Sequence, residues 1–142
     1  MKGLFKSASV EDTRVLAEKF AATLKGGEVV CLEGDLGSGK TTFTRYLAAA
    51  LGAKGAVSSP TFCIVQEHED AKLVHMDLYR LSGEDDVLAI GWEDYIDRGF
   101  TIVVEWPERA GSLIPENAVR VVFRHGEGED ERIIRIDGRF VV

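Results

Sequence analysis

The eight residues Gly34-Asp35-Leu36-Gly37-Ser38-Gly39-Lys40-Thr41 match G-x-x-x-x-G-K-[ST] at every fixed position, and their neighbours restrict what the chain around them can be. Immediately before the loop, Val29-Val30-Cys31-Leu32 is a continuous apolar run, β-branched at its start, as suits a strand buried on both faces of a parallel sheet. Immediately after it, Thr41 to Leu51 favours helix, with Phe43, Tyr46, Leu47 and Ala50 on one side and Gly52 where a C-terminal cap would stand. Strand, glycine-rich loop and helix in that order are hard to place in anything but an α/β fold.

The remaining pattern fits around this unit. Ser9 with Asp12 reads as a capping box, and Leu16, Ala17, Phe20, Ala21 and Leu24 recur at helical spacing until Gly26-Gly27. Cys63 to His68 and Lys72 to Met76 read as two strands about a tight Asp70-Ala71 turn, a hairpin or edge pair. Gly83 to Arg98 mixes helix formers with acids. Phe100-Thr101-Ile102-Val103-Val104 is a second central parallel strand, and Val119–Phe123 and Arg132–Ile136 flank a Gly126–Asp130 turn as a C-terminal hairpin. At 142 residues the chain has room for one core. The expectation is a single P-loop NTPase-like α/β domain over 1–142, with a central, largely parallel sheet flanked by helices, antiparallel edge strands and a C-terminal β-hairpin.

Composition narrows the function classes. A formal net charge of -7, with Lys and Arg scattered, disfavours direct, tight nucleic-acid binding. The N-terminus lacks a signal-peptide pattern and no apolar run approaches membrane-spanning length, so the cytosol is expected. Cys31 and Cys63 lack metal or redox spacing and are expected as buried, reduced thiols.

In the loop, Gly37 and Gly39 let the backbone curl so that successive N–H groups point inward, and the following helix adds the positive end of its dipole. Such a cradle suits the phosphates of ATP. Asp35, Leu36 and Ser38 complete it, Lys40 can reach the β- and γ-phosphates, Thr41 can ligate Mg²⁺, and Thr42 can approach the α-phosphate. A P-loop also needs an acid at the end of a neighbouring strand, for Mg²⁺ or for the attacking water. Glu105, after the apolar run 101–104, is the metal candidate; Asp77, after the weaker strand 73–76, is a second candidate that also reads as a turn or cap aspartate. Thr61, in the Ser58-Ser59-Pro60 loop, is either a γ-phosphate sensor or a turn threonine. Trp106 either covers the site or is an ordinary core or surface residue, and His68 and His75 read as strand residues without catalytic roles.

Gly34–Thr42, Ser59-Pro60-Thr61-Phe62, His75-Met76-Asp77-Leu78-Tyr79-Arg80-Leu81 and Val104-Glu105-Trp106-Pro107-Glu108, taken together and in order, resemble the TsaE (YjeE/YdiB) family. The resemblance runs from the Thr13 helix through Leu113-Ile114-Pro115. It implies an ATPase that works with TsaD and TsaB in the threonylcarbamoyl modification of adenosine next to the anticodon of tRNAs reading A-starting codons. The resemblance further implies that TsaD carries the transfer and that ATP hydrolysis by this chain resets the complex. Lys40 and the loop then hold phosphates, Thr41 and Glu105 hold Mg²⁺, Thr61 and Asp77 belong to switch-like regions, and Trp106 forms the edge of the nucleotide site. Thr13 near the adenine and Arg132 near the nucleotide come from the resemblance alone. Met76 replaces the Phe expected between His75 and Asp77, a conservative departure.

Other nucleotide-binding readings are weaker. A GTPase needs an Asn/Thr-Lys-x-Asp segment, and no Lys-x-Asp occurs. A small-molecule kinase typically has an arginine-bearing lid, whereas Arg80, Arg98 and Arg109 are dispersed. A nucleotide-dependent interaction module with negligible hydrolysis differs from the ATPase by degree.

Overall fold

The computed structural model describes residues 2–35, 37–55 and 65–137. In chain order the elements are β1 (Gly3–Ser7), α1 (Val10–Thr23), β2 (Val29–Glu33), α2 (Lys40–Ala50), β3 (Val65–His68), β4 (Leu73–Asp77), α3 (Glu84–Ala89), α4 (Trp92–Asp97), β5 (Thr101–Glu105), β6 (Val119–His125) and β7 (Arg132–Asp137). The strands form one sheet in the order β1-β7-β6-β2-β5-β4-β3. Its centre, β6-β2-β5-β4, is parallel throughout, and the antiparallel partners β3, β7 and β1 are added at the two edges.

The unbroken apolar runs follow from helices on both faces of this sheet. Val30, Leu32, Leu73, Val103 and Val121 point to one side, where they meet Leu16 and Phe20 of α1 and Phe43 and Leu47 of α2. Val29, Cys31, Val74, Met76, Ile102 and Val104 point to the other, against Val87 of α3 and Trp92 of α4. Successive residues of β2, β4 and β5 therefore alternate between two cores.

Local signals account for the helix ends. Ser9 Oγ accepts from the Asp12 N–H at 3.2 Å, and an Asp12 carboxylate oxygen accepts from the Ala8 N–H at 2.9 Å, closing a reciprocal cap at the start of α1. At the end of α2, Gly52 takes φ 109° while the Ala53 and Gly52 N–H groups donate to Ala48 and Ala49 carbonyls. That is the two-bond Schellman arrangement, for which glycine is the favoured residue.

The expected fold class holds, with the antiparallel β3–β4 pair at one edge and the β6–β7 hairpin toward the other, and the structure adds or alters details. The mixed segment 83–98 is two six-residue helices, because Gly91 at φ 97° breaks the run. The strand 73–77 is internal to the sheet, paired on one side with β5 and on the other with β3. The C-terminal hairpin is part of the sheet, since β6 also pairs parallel with β2. β1 carried too little signal to be expected: it is a five-residue edge strand whose Leu4 is 71% exposed, ordered by antiparallel pairing with β7. Cys63 and the first part of the strand expected there lie outside the described residues, as does the Ser58–Phe62 loop. Among the described residues no helix is long and apolar enough to cross a membrane.

Cys31 is fully buried in the centre of β2, and burial pushes its thiol from the ordinary 9.0 up to about 12. The neutral thiol thus contributes stability that is whole below pH 9 and is lost as the pH rises toward 12. In a Cys63→Ser background, Cys31 should resist iodoacetamide at pH 8.5 and react only after denaturation; modification of the folded protein would contradict its placement.

Candidate functional site

The turn between β2 and α2 lies at the C-terminal ends of the parallel strands, where open α/β sheets bind ligands. Gly37 and Gly39 adopt φ 78° and 107°. Gly34, at φ 151°, is held closest to its neighbours: a Cβ there would stand 2.7 Å from the Phe123 carbonyl oxygen and 2.8 Å from Ser38 Oγ. Gly39 is the N-cap of α2 and no side chain caps that helix. The first-turn N–H groups and the positive helix pole are therefore directed at the space in front of the loop, a ready anion site on an eleven-residue helix.

That space is a cleft of about 1030 Å³. Gly34, Asp35, Gly37, Gly39, Lys40, Thr41 and Thr42 form its floor; Asp77, Glu105 and Trp106 form one wall; Thr13 and Arg132 belong to the other parts of the lining. Of the residues expected from the sequence, Leu36 and Thr61 lie outside the described ones. Ser38 is not in the lining. It is 1% exposed, its N–H donates to the Asp35 carbonyl at 3.0 Å, and its buried hydroxyl has no partner among the described residues.

Three side chains link the floor to the wall. Lys40 Nζ donates to the Gly34 carbonyl at 2.6 Å and lies 3.3 Å from Glu105 Oε1. Glu105 Oε2 lies 2.8 Å from Nε2 of the fully buried His75. Burial pushes the Glu105 carboxyl up, but the hydrogen bond and electrostatic contact with His75, joined by the Lys40 ammonium, outweigh it and hold the group below its ordinary value. Glu105 is an ionised acid that is only 6% exposed at the cleft wall.

Asp77 is the register partner of Glu105 on the adjacent strand. Its Oδ1 accepts from the Tyr79 N–H at 3.0 Å, so it serves as a turn aspartate while also lining the cleft. Trp106 follows Glu105 at φ 58°, is 40% exposed, and its ring lies 4.9 Å from that of Tyr79. Arg132, at the start of β7, donates to the Gly37 carbonyl at 3.1 Å and to the Glu129 and Glu131 carbonyls at 3.0 and 2.9 Å, clipping the loop from the hairpin side. Thr13 is buried with its hydroxyl 2.7 Å from Ser7 Oγ.

The donors fit a Mg-nucleotide. The uncapped helix start and Lys40 offer positive charge to phosphate, and Thr41, Asp77 and Glu105 offer oxygen. Among the described residues no three His, Cys, Asp or Glu side chains form a cage. A few oxygen ligands facing an anion site suit Mg²⁺, which keeps several waters and takes further ligands from phosphate.

Sequence reasoning missed His75, which had read as an ordinary strand residue. A signal was present: residues two apart on a strand share a face, so a strand ending at Asp77 puts His75 on the side to which Glu105 also points. Tyr79, Glu108 and Asp130 also line the cleft.

The model of the family described as "Threonylcarbamoyl adenosine biosynthesis protein TsaE" matches residues 7–134. The Bacillus subtilis tRNA threonylcarbamoyladenosine biosynthesis protein TsaE is 39% identical over 132 residues, which cover 92% of this chain and 82% of that relative. Its Aquifex aeolicus namesake is 50% identical over 105 residues, covering 71% and 74%. The crystal structure of Bacillus subtilis YdiB matches with a TM-score of 0.78 at 33% identity, covering 96% of this chain and 84% of that one.

The approach at Gly34 yields a test. Gly34→Ala should lower stability by about 1–3 kcal/mol in urea unfolding and weaken nucleotide binding, because the new methyl meets backbone that cannot yield freely. Gly55→Ala, whose Cβ would meet nothing within 4 Å, should change stability by less than about 0.5 kcal/mol. Equal behaviour of the two variants would contradict the loop geometry.

Proposed function

This chain belongs to the TsaE family of threonylcarbamoyl adenosine biosynthesis proteins, and on that premise we propose that it serves tRNA threonylcarbamoyladenosine biosynthesis in the cytoplasm as a Mg-dependent ATPase acting with TsaD and TsaB. The observation that carries the ATPase reading is the meeting of Lys40 and Glu105 at 3.3 Å above an uncapped helix start. The pair supplies a cation for phosphate and an ionised carboxylate for a metal, side by side.

In this reading the first-turn N–H groups of α2 and the Lys40 ammonium bind the β- and γ-phosphates, with Thr42 toward the α-phosphate. The Thr41 hydroxyl and Glu105 hold Mg²⁺, whose role when bound is to neutralise charge developing on the phosphates. Asp77, beside Glu105 at the next strand end, accepts a hydrogen bond from the attacking water. Thr61 is assigned the role of γ-phosphate sensor from the family resemblance alone. Thr13 lies toward the base and Trp106 at the cleft edge. Lys40 exchanges the Gly34 carbonyl for phosphate oxygens, a substitution that leaves its charge paired.

Turnover by the isolated chain should be slow. Arg132 is the arginine in the lining among the described residues, and its guanidinium is bonded to three carbonyls. Partners must complete the charge stabilisation, and hydrolysis then resets their complex. With a net charge of -7, contact with tRNA passes through that complex.

The test is ATP hydrolysis and tRNA modification by the purified chain with and without TsaD and TsaB. Stimulation by the two together, and a modification defect when this chain is omitted, are expected; absence of both would remove the assignment. Lys40→Ala should abolish ATP binding or turnover. Glu105→Ala should chiefly lower Mg-dependent turnover, by about 100-fold or more. Wild-type rates in both variants would overturn the site.

A further inference from the structure

We infer that His75 is the positioning residue of the Glu105 carboxylate: it fixes one carboxylate oxygen from beneath so that the other stays presented to the cleft after Lys40 moves to a phosphate. The inference rests on the ATPase reading above and deepens it.

His75 is 0% exposed and lies in the middle of β4, beside Val103 of β5 in register, on the sheet face covered by α1 and α2. An apolar residue would serve this position if packing alone were required. Instead, among the described residues, the ring makes one side-chain hydrogen bond, from Nε2 to Glu105 Oε2 at 2.8 Å, while its buried Nδ1 has no partner there. An ionised carboxylate only accepts, so the hydrogen between them belongs to His75 Nε2. Burying a ring with one nitrogen unpaired is unfavourable, and the feature in contact that gives it a purpose is Glu105.

The two oxygens of Glu105 are divided between neighbours of different permanence. Oε1 faces Lys40, a long side chain at the cleft floor that bonds to the Gly34 carbonyl as well. Oε2 faces the imidazole of His75, which is fully buried in the middle of β4. When phosphate draws Lys40 away, a carboxylate held by Lys40 alone would either follow it or lose its charge partner in a poorly hydrated wall. The His75 bond guards against both outcomes, since it holds the carboxylate in place and leaves it hydrogen-bonded. Outer partners of metal-ligating carboxylates act in this way, and their loss costs about 10- to 100-fold in metal affinity or activity.

The test is calorimetric titration of ADP into the whole protein, with and without Mg²⁺, for the wild type, His75→Leu and His75→Gln. The wild type should bind ADP more tightly with Mg²⁺. His75→Leu should lose about 10-fold or more of that Mg²⁺ enhancement while still binding ADP without metal. His75→Gln, whose amide NH₂ replaces the Nε2 donor, should recover most of it. A folded His75→Leu with the full enhancement would overturn the inference and leave the ATPase reading intact; a wild type with no Mg²⁺ enhancement would remove both. Long-range ¹H–¹⁵N spectra of the wild type test the inference without substitution. His75 should be protonated at Nε2 with that resonance shifting when Mg²⁺ and ADP are added, and an unprotonated Nε2 would overturn it.

Discussion

The ion pair between Lys40 and Glu105 ties the site to the sheet. It joins a helix start to a strand end, and it forms because β2 and β5 run parallel with Leu32 in register with Glu105. The loop leaves β2 at the level where the β5 acid emerges, so a lysine at the first position of α2 reaches that acid. The alternating cores fix the register. A slip of one residue would send Glu105 into the face held by Cys31, Met76 and Val104, among apolar side chains with no cation.

Around this pair every support comes from a different part of the chain. β4 brings His75 beneath the carboxylate and Asp77 beside it. β6 brings the Phe123 carbonyl so close to Gly34 that no Cβ is accommodated without movement. β7 brings Arg132 onto the Gly37 carbonyl, and β1 completes that edge of the sheet. The C-terminal hairpin thus restrains the loop from the side opposite the acids. Low-exposure charges of this kind are stable only when every member is paired, and the resting arrangement pairs Lys40 with a carbonyl and a carboxylate.

Much of the centre was legible because local chemistry and tertiary placement agree there. The 29–32 run, the glycines of the loop and the helix after it can be read without neighbours, and a strand-end acid at Glu105 follows from the apolar run before it. What escaped depends on partners distant in sequence. β1 is a strand because β7 lies beside it, and its own five residues alternate too briefly to say so. The 83–98 segment has helix formers on both sides of Gly91, and only the backbone at φ 97° shows the break. His75 looked ordinary because its meaning comes from a carboxylate 30 positions later, reached through parallel pairing that the strand itself does not announce. Family resemblance pointed to Thr13 and Arg132, which their local sequence did not, and both line the cleft.

The central claim is that the Lys40–Glu105 pair is a resting contact that a Mg-nucleotide replaces. A crystal structure of the protein with Mg²⁺ and a non-hydrolysable ATP analogue tests it most directly. The account predicts Lys40 Nζ on phosphate oxygens and off the Gly34 carbonyl, the metal beside Thr41 and Glu105, and Glu105 still bonded to His75. Lys40 remaining on Gly34 and Glu105, with the nucleotide seated elsewhere, would contradict it.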